Sequence, residues 1–162
     1  MKFAPSTQEH RFLDRLLGEW LTTSAGGHED YDPDDPAQRW TETVRPLGPY
    51  WVVAESRGAM PDGSQAQMVM SLGYDPRKAH YVGTWIGSMM DSLWVYRGWI
   101  EPDGNTLTLE AEGPSFSDPG KLEIYRDAIT FLDPDHRTLT GSVRQPDGTF
   151  QTFMSNEMKR IG

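Results

Sequence analysis

Pro-Asp-Gly occurs three times in this chain, at Pro61–Gly63, Pro102–Gly104 and Pro146–Gly148, and no other feature constrains the fold as strongly. Proline fixes φ, the aspartate side chain bonds backbone two residues on, and glycine accepts positive φ, so each triplet makes a tight reversal. Asp-Pro pairs starting at Asp75, Asp118 and Asp133 mark further corners. Between the corners lie runs of strand length rich in Val, Ile, Thr and aromatic residues. They predict about ten strands, near residues 19–25, 38–46, 49–59, 65–74, 79–86, 92–101, 104–112, 121–132, 136–145 and 149–160. Short connections make successive strands antiparallel neighbours in a meander. An open meander of this length exposes two edges to aggregation, and closure removes both. The expected fold is all-β, an antiparallel up-and-down β-barrel. The strands around the three triplets do not resemble one another, so Pro-Asp-Gly is a turn device rather than the mark of a repeat.

Only the N-terminus has a helical period. Ser6 and Glu9 have capping-box spacing, Phe12, Leu13, Leu16 and Leu17 fall on one face, and Gly18 provides a stop. This predicts one α-helix near residues 6–17. With no linker and no second apolar helix, residues 1–162 read as a single domain.

Fifteen Lys and Arg against 24 Asp and Glu give a net charge of −9, which repels phosphate backbones and anionic headgroups. Nucleic acid and membrane are therefore not expected partners. No apolar run approaches the roughly 20 residues of a membrane span, and the N-terminus turns polar too early for a secretory signal. Cysteine is absent, which removes disulfides, thiolate metal sites and a Cys nucleophile. A cytoplasmic protein is the expectation.

Alternation assigns faces. Ala66, Met68, Met70, Leu72 and Tyr74 share one face of their strand; Phe150, Met154 and Met158 share another. Elsewhere the faces are mixed: Trp51, Val53, Glu55 and Arg57 fall together, as do Leu93, Val95, Arg97 and Trp99. Rings mixed with charges suit either a lumen that holds ligand and water or a solvent-facing wall; in a dry core the charges would be costly.

Catalytic patterns are sparse. There is no G-x-S-x-G elbow, no H-E-x-x-H and no close His pair for zinc, and no G-x-G-x-x-G after a strand for a dinucleotide. His80 and Glu55 are the weak candidates for a base, each lacking a placed partner. The acidic run Glu29–Asp35 spaces its oxygens like a calcium loop, but Asp35 and Thr41 stand where glycine and glutamate are required. It reads as a solvated loop over the barrel mouth. No metal, haem or other cofactor is expected.

The remaining signal is a concentration of rings and thioethers. Trp51, Trp85, Trp94, Trp99, Tyr81 and Tyr96 lie on adjacent strands beside Met68, Met70, Met89 and Met90. Such side chains make an adaptable apolar wall, and a barrel of about ten strands is wider than its side chains easily fill. The expected function is binding of a small hydrophobic or amphipathic molecule. The candidate contacts are Trp51, Glu55, Met70, Tyr81, Trp85, Met89, Trp94, Arg97 and Arg126, with Glu55, Arg97 or Arg126 fixing a polar end. Two alternatives stay open: an isomerase or hydrolase working in the same cavity through His80 or Glu55, and an interaction protein, such as a homodimer, pairing through exposed strand faces.

Two resemblances support the barrel. Gly18-Glu19-Trp20 after a helix resembles the G-x-W signature of the calycin superfamily, which includes the lipocalins. It implies that Trp20 packs across the closed end beneath an arginine of the last strand, here Arg160. The run Glu9-His10-Arg11-Phe12-Leu13 through Leu17-Gly18-Glu19-Trp20 resembles the opening of the DUF1579 family, small bacterial proteins of unknown function. Gly73-Tyr74-Asp75-Pro76, Tyr81-Val82-Gly83-Thr84-Trp85-Ile86 and Ser88-Met89 resemble that family's central motif; Gly113-Pro114 and Pro146-Asp147-Gly148 also fit. The family motif usually carries Asp where this chain has Gly87, with Asp91 the nearest substitute.

Overall fold

A computed structural model describes all 162 residues. Ten strands form one closed antiparallel barrel: β1 (Gly18–Ala25), β2 (Thr41–Leu47), β3 (Trp51–Ala59), β4 (Gln65–Asp75), β5 (His80–Gly87), β6 (Trp94–Ile100), β7 (Thr106–Pro114), β8 (Leu122–Asp133), β9 (His136–Arg144) and β10 (Phe150–Arg160). Each strand pairs with its neighbours in the chain, and β1 closes on β10 in the register Trp20↔Arg160. The all-β up-and-down barrel expected from the turns is the fold observed.

The three Pro-Asp-Gly turns share one construction. The backbone N–H groups of Ser64, Asn105 and Thr149 donate to the carboxylates of Asp62, Asp103 and Asp147 at 2.8–2.9 Å. Gly63, Gly104 and Gly148 take positive φ of 86°, 74° and 86°. Local chemistry alone therefore sets these three reversals.

The N-terminal helix is shorter than expected. α1 covers Gln8–Phe12 and passes into a 3₁₀ turn at Leu13–Leu16. Its cap is Thr7 with His10, not Ser6 with Glu9. The Thr7 N–H donates to His10 Nδ1 (2.9 Å), which leaves the Nε2–H to donate to the Tyr74 carbonyl (2.9 Å). Burying His10 while satisfying both ring nitrogens ties the helix to β4, a tie that a Ser6–Glu9 cap does not supply. No helix is long and apolar enough to cross a membrane.

The helix and the 3₁₀ turn plug one end of the barrel. Leu13, Leu16, Trp20, Leu72, Tyr81, Leu107, Leu109, Ile129 and Phe131 pack there as core. Trp20 is completely buried, and its Nε1–H donates to the Leu16 carbonyl at 2.8 Å. The guanidinium of Arg160 lies 4.3 Å from the centre of its ring, and that of Arg137 lies 4.5 Å away. Arg160 also donates to the carbonyls of Leu17 and Arg15, which stitches the last strand to the plug. Arg137, only 2% exposed, is paired with Glu42, whose other oxygen accepts from the Ser56 hydroxyl at 2.9 Å. The Trp20–Arg160 pairing implied by the calycin resemblance is present.

Strand phase departs from the expected faces in three places. On β3 the inward residues are Val52, Ala54, Ser56 and Gly58, so Trp51, Val53, Glu55 and Arg57 face outward. On β6, Trp94, Tyr96 and Gly98 face inward, and Val95, Arg97 and Trp99 face outward. On β10 a bulge between Thr152 and Met154 shifts the register. Met154 and Met158 point in, but Phe150 lies outside beneath Arg126, 3.9 Å from its guanidinium. One extra residue in a strand reverses the alternation beyond it.

Candidate functional site

The end of the barrel opposite the plug is hollow. A cavity of about 1190 Å³ opens between the β1–β2 loop and the strands, above the level of Trp20. Its wall is built by inward positions in strict alternation: Met68 and Met70 from β4, Trp85 from β5, Trp94 and Tyr96 from β6, Tyr125 and Asp127 from β8, Met154, Asn156 and Met158 from β10. Neighbouring rings meet edge to face, Trp85 to Trp94 at 6.4 Å between centroids and Trp94 to Tyr125 at 5.1 Å.

Glycine makes room for the largest ring. A Cβ on Gly113 would stand 2.2 Å from carbons of Trp94, so only glycine lets that indole lie flat against β7. Gly58 does the same for Trp40 at the mouth, where Trp40 Nε1–H donates to the Ala59 carbonyl at 3.1 Å.

One charge sits on this apolar wall without a countercharge. Asp127 Oδ2 accepts from the Tyr96 hydroxyl at 2.8 Å, and Oδ1 takes no hydrogen bond from the protein. Burial pushes the Asp127 carboxyl up from its ordinary value, against the hydrogen bond from Tyr96, which favours the ionised form. Tyr96 is pushed well above its ordinary value, first by burial and then by the Asp127 charge. A second polar group is also unanswered: Trp94 Nε1–H is enclosed with no hydrogen-bond partner.

The acidic loop lies over the mouth, and Glu29, Asp30 and Asp35 border the cavity. Tyr31 fastens it: its hydroxyl donates to the Thr22 carbonyl (2.7 Å) and accepts from the Trp40 N–H (3.1 Å). Asp32, Asp35 and Gln38 bond within the loop, and Arg39 donates to the Pro33 carbonyl. Its carboxylates do not gather with other donors into a group of three that could hold a metal ion.

Of the residues singled out from the sequence, the structure brings Met70, Trp85 and Trp94 together on the cavity wall. Tyr81 also points inward, but it lies in the plug core, with its hydroxyl donating to the Glu9 carbonyl at 2.8 Å. Met89 is in the turn after β5 and is exposed. Trp51, Glu55, Arg97 and Arg126 are on the outer surface, and the expectation that their faces form the lumen is corrected. Trp51 covers Gly73 there, and Glu55 pairs with Arg45 at 3.3 Å. Arg126 pairs with Glu110 at 2.9 Å between Trp99 and Phe150. Rings that shield ion pairs account for the mixture of aromatic and charged residues on the outer faces. His80 also faces out, its Nδ1 bonded to the Tyr81 carbonyl, and Asp91 is exposed. Neither His80 nor Glu55 reaches the cavity.

Sequence reading missed Tyr96 as a contact and missed Asp127 altogether. The signal for Asp127 is present: Tyr125, Asp127, Ile129 and Phe131 alternate along β8, and Asp127 is the one charge of that run between the rings of Tyr125 and Phe131.

Solved structures that match the chain include the following three. A redesigned β-barrel, b11L5F_LGL, is 12% identical with a TM-score of 0.45, covering 98% of this chain and 100% of that one. EF1p2_mFAP2b bound to DFHBI is 14% identical with a TM-score of 0.46 over 95% and 100% of the two chains. The redesigned barrel mFAP1, bound to DFHBI, is 15% identical with a TM-score of 0.41 over 91% and 96%. No curated protein matches the chain. The family model described as protein of unknown function (DUF1579) matches residues 5–160, and the chain belongs to that family.

Proposed function

We propose that the protein binds a small apolar or amphipathic molecule in the barrel lumen and acts as a binding module. The observation that carries this reading is the cavity of about 1190 Å³, walled by Trp, Tyr and Met side chains on rigid strands and open at one end. Ligand pockets have this character: mostly apolar and aromatic, preformed, with a few fixed polar groups. The volume lies somewhat above the roughly 300–1,000 Å³ typical of such sites, enough for a drug-sized molecule with water around it. Thioether walls adapt to more than one outline, and the edge-to-face rings give planar guests surfaces to pack on.

An enzymatic role through His80 or Glu55 loses its support, because both lie outside the cavity. Within the lumen, Asp127 and Tyr96 are the polar pair that would fix a guest's orientation.

The test is native mass spectrometry on protein purified gently from its source, followed by denaturation and analysis of the organic extract. A stoichiometric small molecule released on denaturation is the expected result. A clean apo mass, with no change in tryptophan fluorescence on titration with apolar and amphipathic probes, overturns the reading. The same spectrum gives the oligomeric state.

A further inference from the structure

We propose that the lumen selects a guest with an aromatic or apolar body and one positive charge, a protonated amine or quaternary ammonium, for which Asp127 is the counter-charge. This rests on the small-molecule reading and narrows it. The charge inventory of the cavity is one-sided. No Lys or Arg side chain lines it; His28 at the rim is its one basic group, against Glu29, Asp30, Asp35 and Asp127. Glu42 also lines the cavity, but its charge is met by Arg137, the cation that faces into the barrel. Arg97 and Arg126 stand on the other side of the wall, so a carboxylate or phosphate guest would meet Asp127 with nothing to offset it.

The local geometry fits a cation. Tyr96 holds one oxygen of Asp127 at 2.8 Å, the other, Oδ1, takes no hydrogen bond from the protein, and the residue lines the lumen. The rings of Trp85, Trp94 and Tyr125 share the wall with that carboxylate. Aromatic π-systems attract organic cations most strongly where water is excluded, and a carboxylate among rings adds a full charge. A neutral apolar guest would strip water from Asp127 and return nothing to it. A cation restores that loss and favours the ionised carboxylate. The acidic loop over the mouth gives the approach the same sign.

Three probes with a common fluorophore test this: dansylcadaverine (cationic), dansylamide (neutral) and 11-(dansylamino)undecanoic acid (anionic). Each is titrated at physiological ionic strength, where screening confines the effect to close contacts, and read by energy transfer from tryptophan. Dansylcadaverine is expected to saturate and to bind at least about tenfold more tightly than the other two, and Asp127→Asn is expected to remove about tenfold from the amine alone. If the amine and the acid bind alike, or Asp127→Asn leaves the amine unchanged, the charge selection is wrong while the lumen remains a binding site. If none of the three binds, the selection falls, and the small-molecule reading is then decided by the native mass spectrum. The probe series on the unaltered protein decides the sign even where the variant folds poorly.

Discussion

The two ends of the barrel are made from the same materials and use them differently. At the plugged end, the Trp20 indole N–H reaches the Leu16 carbonyl, Glu42 meets a terminal nitrogen of Arg137, whose Nε alone lacks a partner, and a second arginine closes over the ring. At the open end, the Trp94 indole N–H has no partner, Asp127 has no cation, and the space above them is not filled. A buried polar group adds stability when its partner is supplied by the fold and costs stability when it is not. The plugged end is therefore expected to hold the protein together, and the open end to carry unmet interactions that a guest can complete.

Arg137→Ala attacks the plugged end and has the largest expected effect. It leaves Glu42 without its cation and removes a guanidinium stacked on Trp20. Loss of one partner of a buried pair costs about 3–5 kcal/mol, a fall in Tm of roughly 10 °C for a domain of this size. Thermal and urea denaturation measure it. A loss under about 1 kcal/mol would show that the plug is not the stabilising end.

Gly113→Ala attacks the open end through its wall. The new methyl would stand 2.2 Å from Trp94, so either the indole or β7 must move. Overpacking of this kind costs about 1–3 kcal/mol, less than the plug variant. Its second signature is local: altered tryptophan emission and weakened probe binding. Destabilisation with unchanged binding would mean that Trp94 is not part of the functional wall.

The plugged end and the turns were largely legible in the sequence; the open end was legible only in part. Pro-Asp-Gly encodes its own geometry within four residues, and together with the Asp-Pro corners and the β-branched and aromatic runs between them it marks out the ten strands. Trp20 and Arg160 were found through a resemblance, since nothing in their spacing tells that residues 140 positions apart will stack. The wall depends on strand phase, and phase failed wherever both faces carried rings. On β6, Trp94 and Tyr96 alternate with Val95, Arg97 and Trp99, and only closure of the barrel decides which set is inside. On β10 the extra residue at the bulge moved Phe150 to the outer surface, and no local pattern announces a bulge there. The cap was misplaced by one residue because a histidine can close a capping box when its other nitrogen finds a carbonyl, a tertiary contact that no helical pattern contains.

Asp127→Asn has the smallest expected effect on stability and the opposite sign. Burial raises the Asp127 carboxyl above its ordinary value, so between the ordinary carboxylate pKa of about 3.9 and that raised value the folded protein keeps a proton that the unfolded chain releases. Stability falls as pH rises through this window, and the cost persists at neutral pH. Asparagine removes the titration and still accepts from the Tyr96 hydroxyl, so the variant should melt higher than the parent at pH 7 and level with it, or slightly lower, below the carboxylate range. The turn aspartates act in the other direction. Hydroxyls of Ser64 and Thr149 hold Asp62 and Asp147 low, and the Asn105 N–H does so for Asp103, so their contribution is present above the ordinary range and lost in acid. Because parent and variant share those turns, the difference between their melting curves across pH isolates Asp127. A variant that is more stable and yet loses affinity for dansylcadaverine marks a residue kept at a cost to the fold. If Asp127→Asn lowers Tm at pH 7, the carboxylate belongs to the architecture as Glu42 does, and the contrast between the two ends disappears.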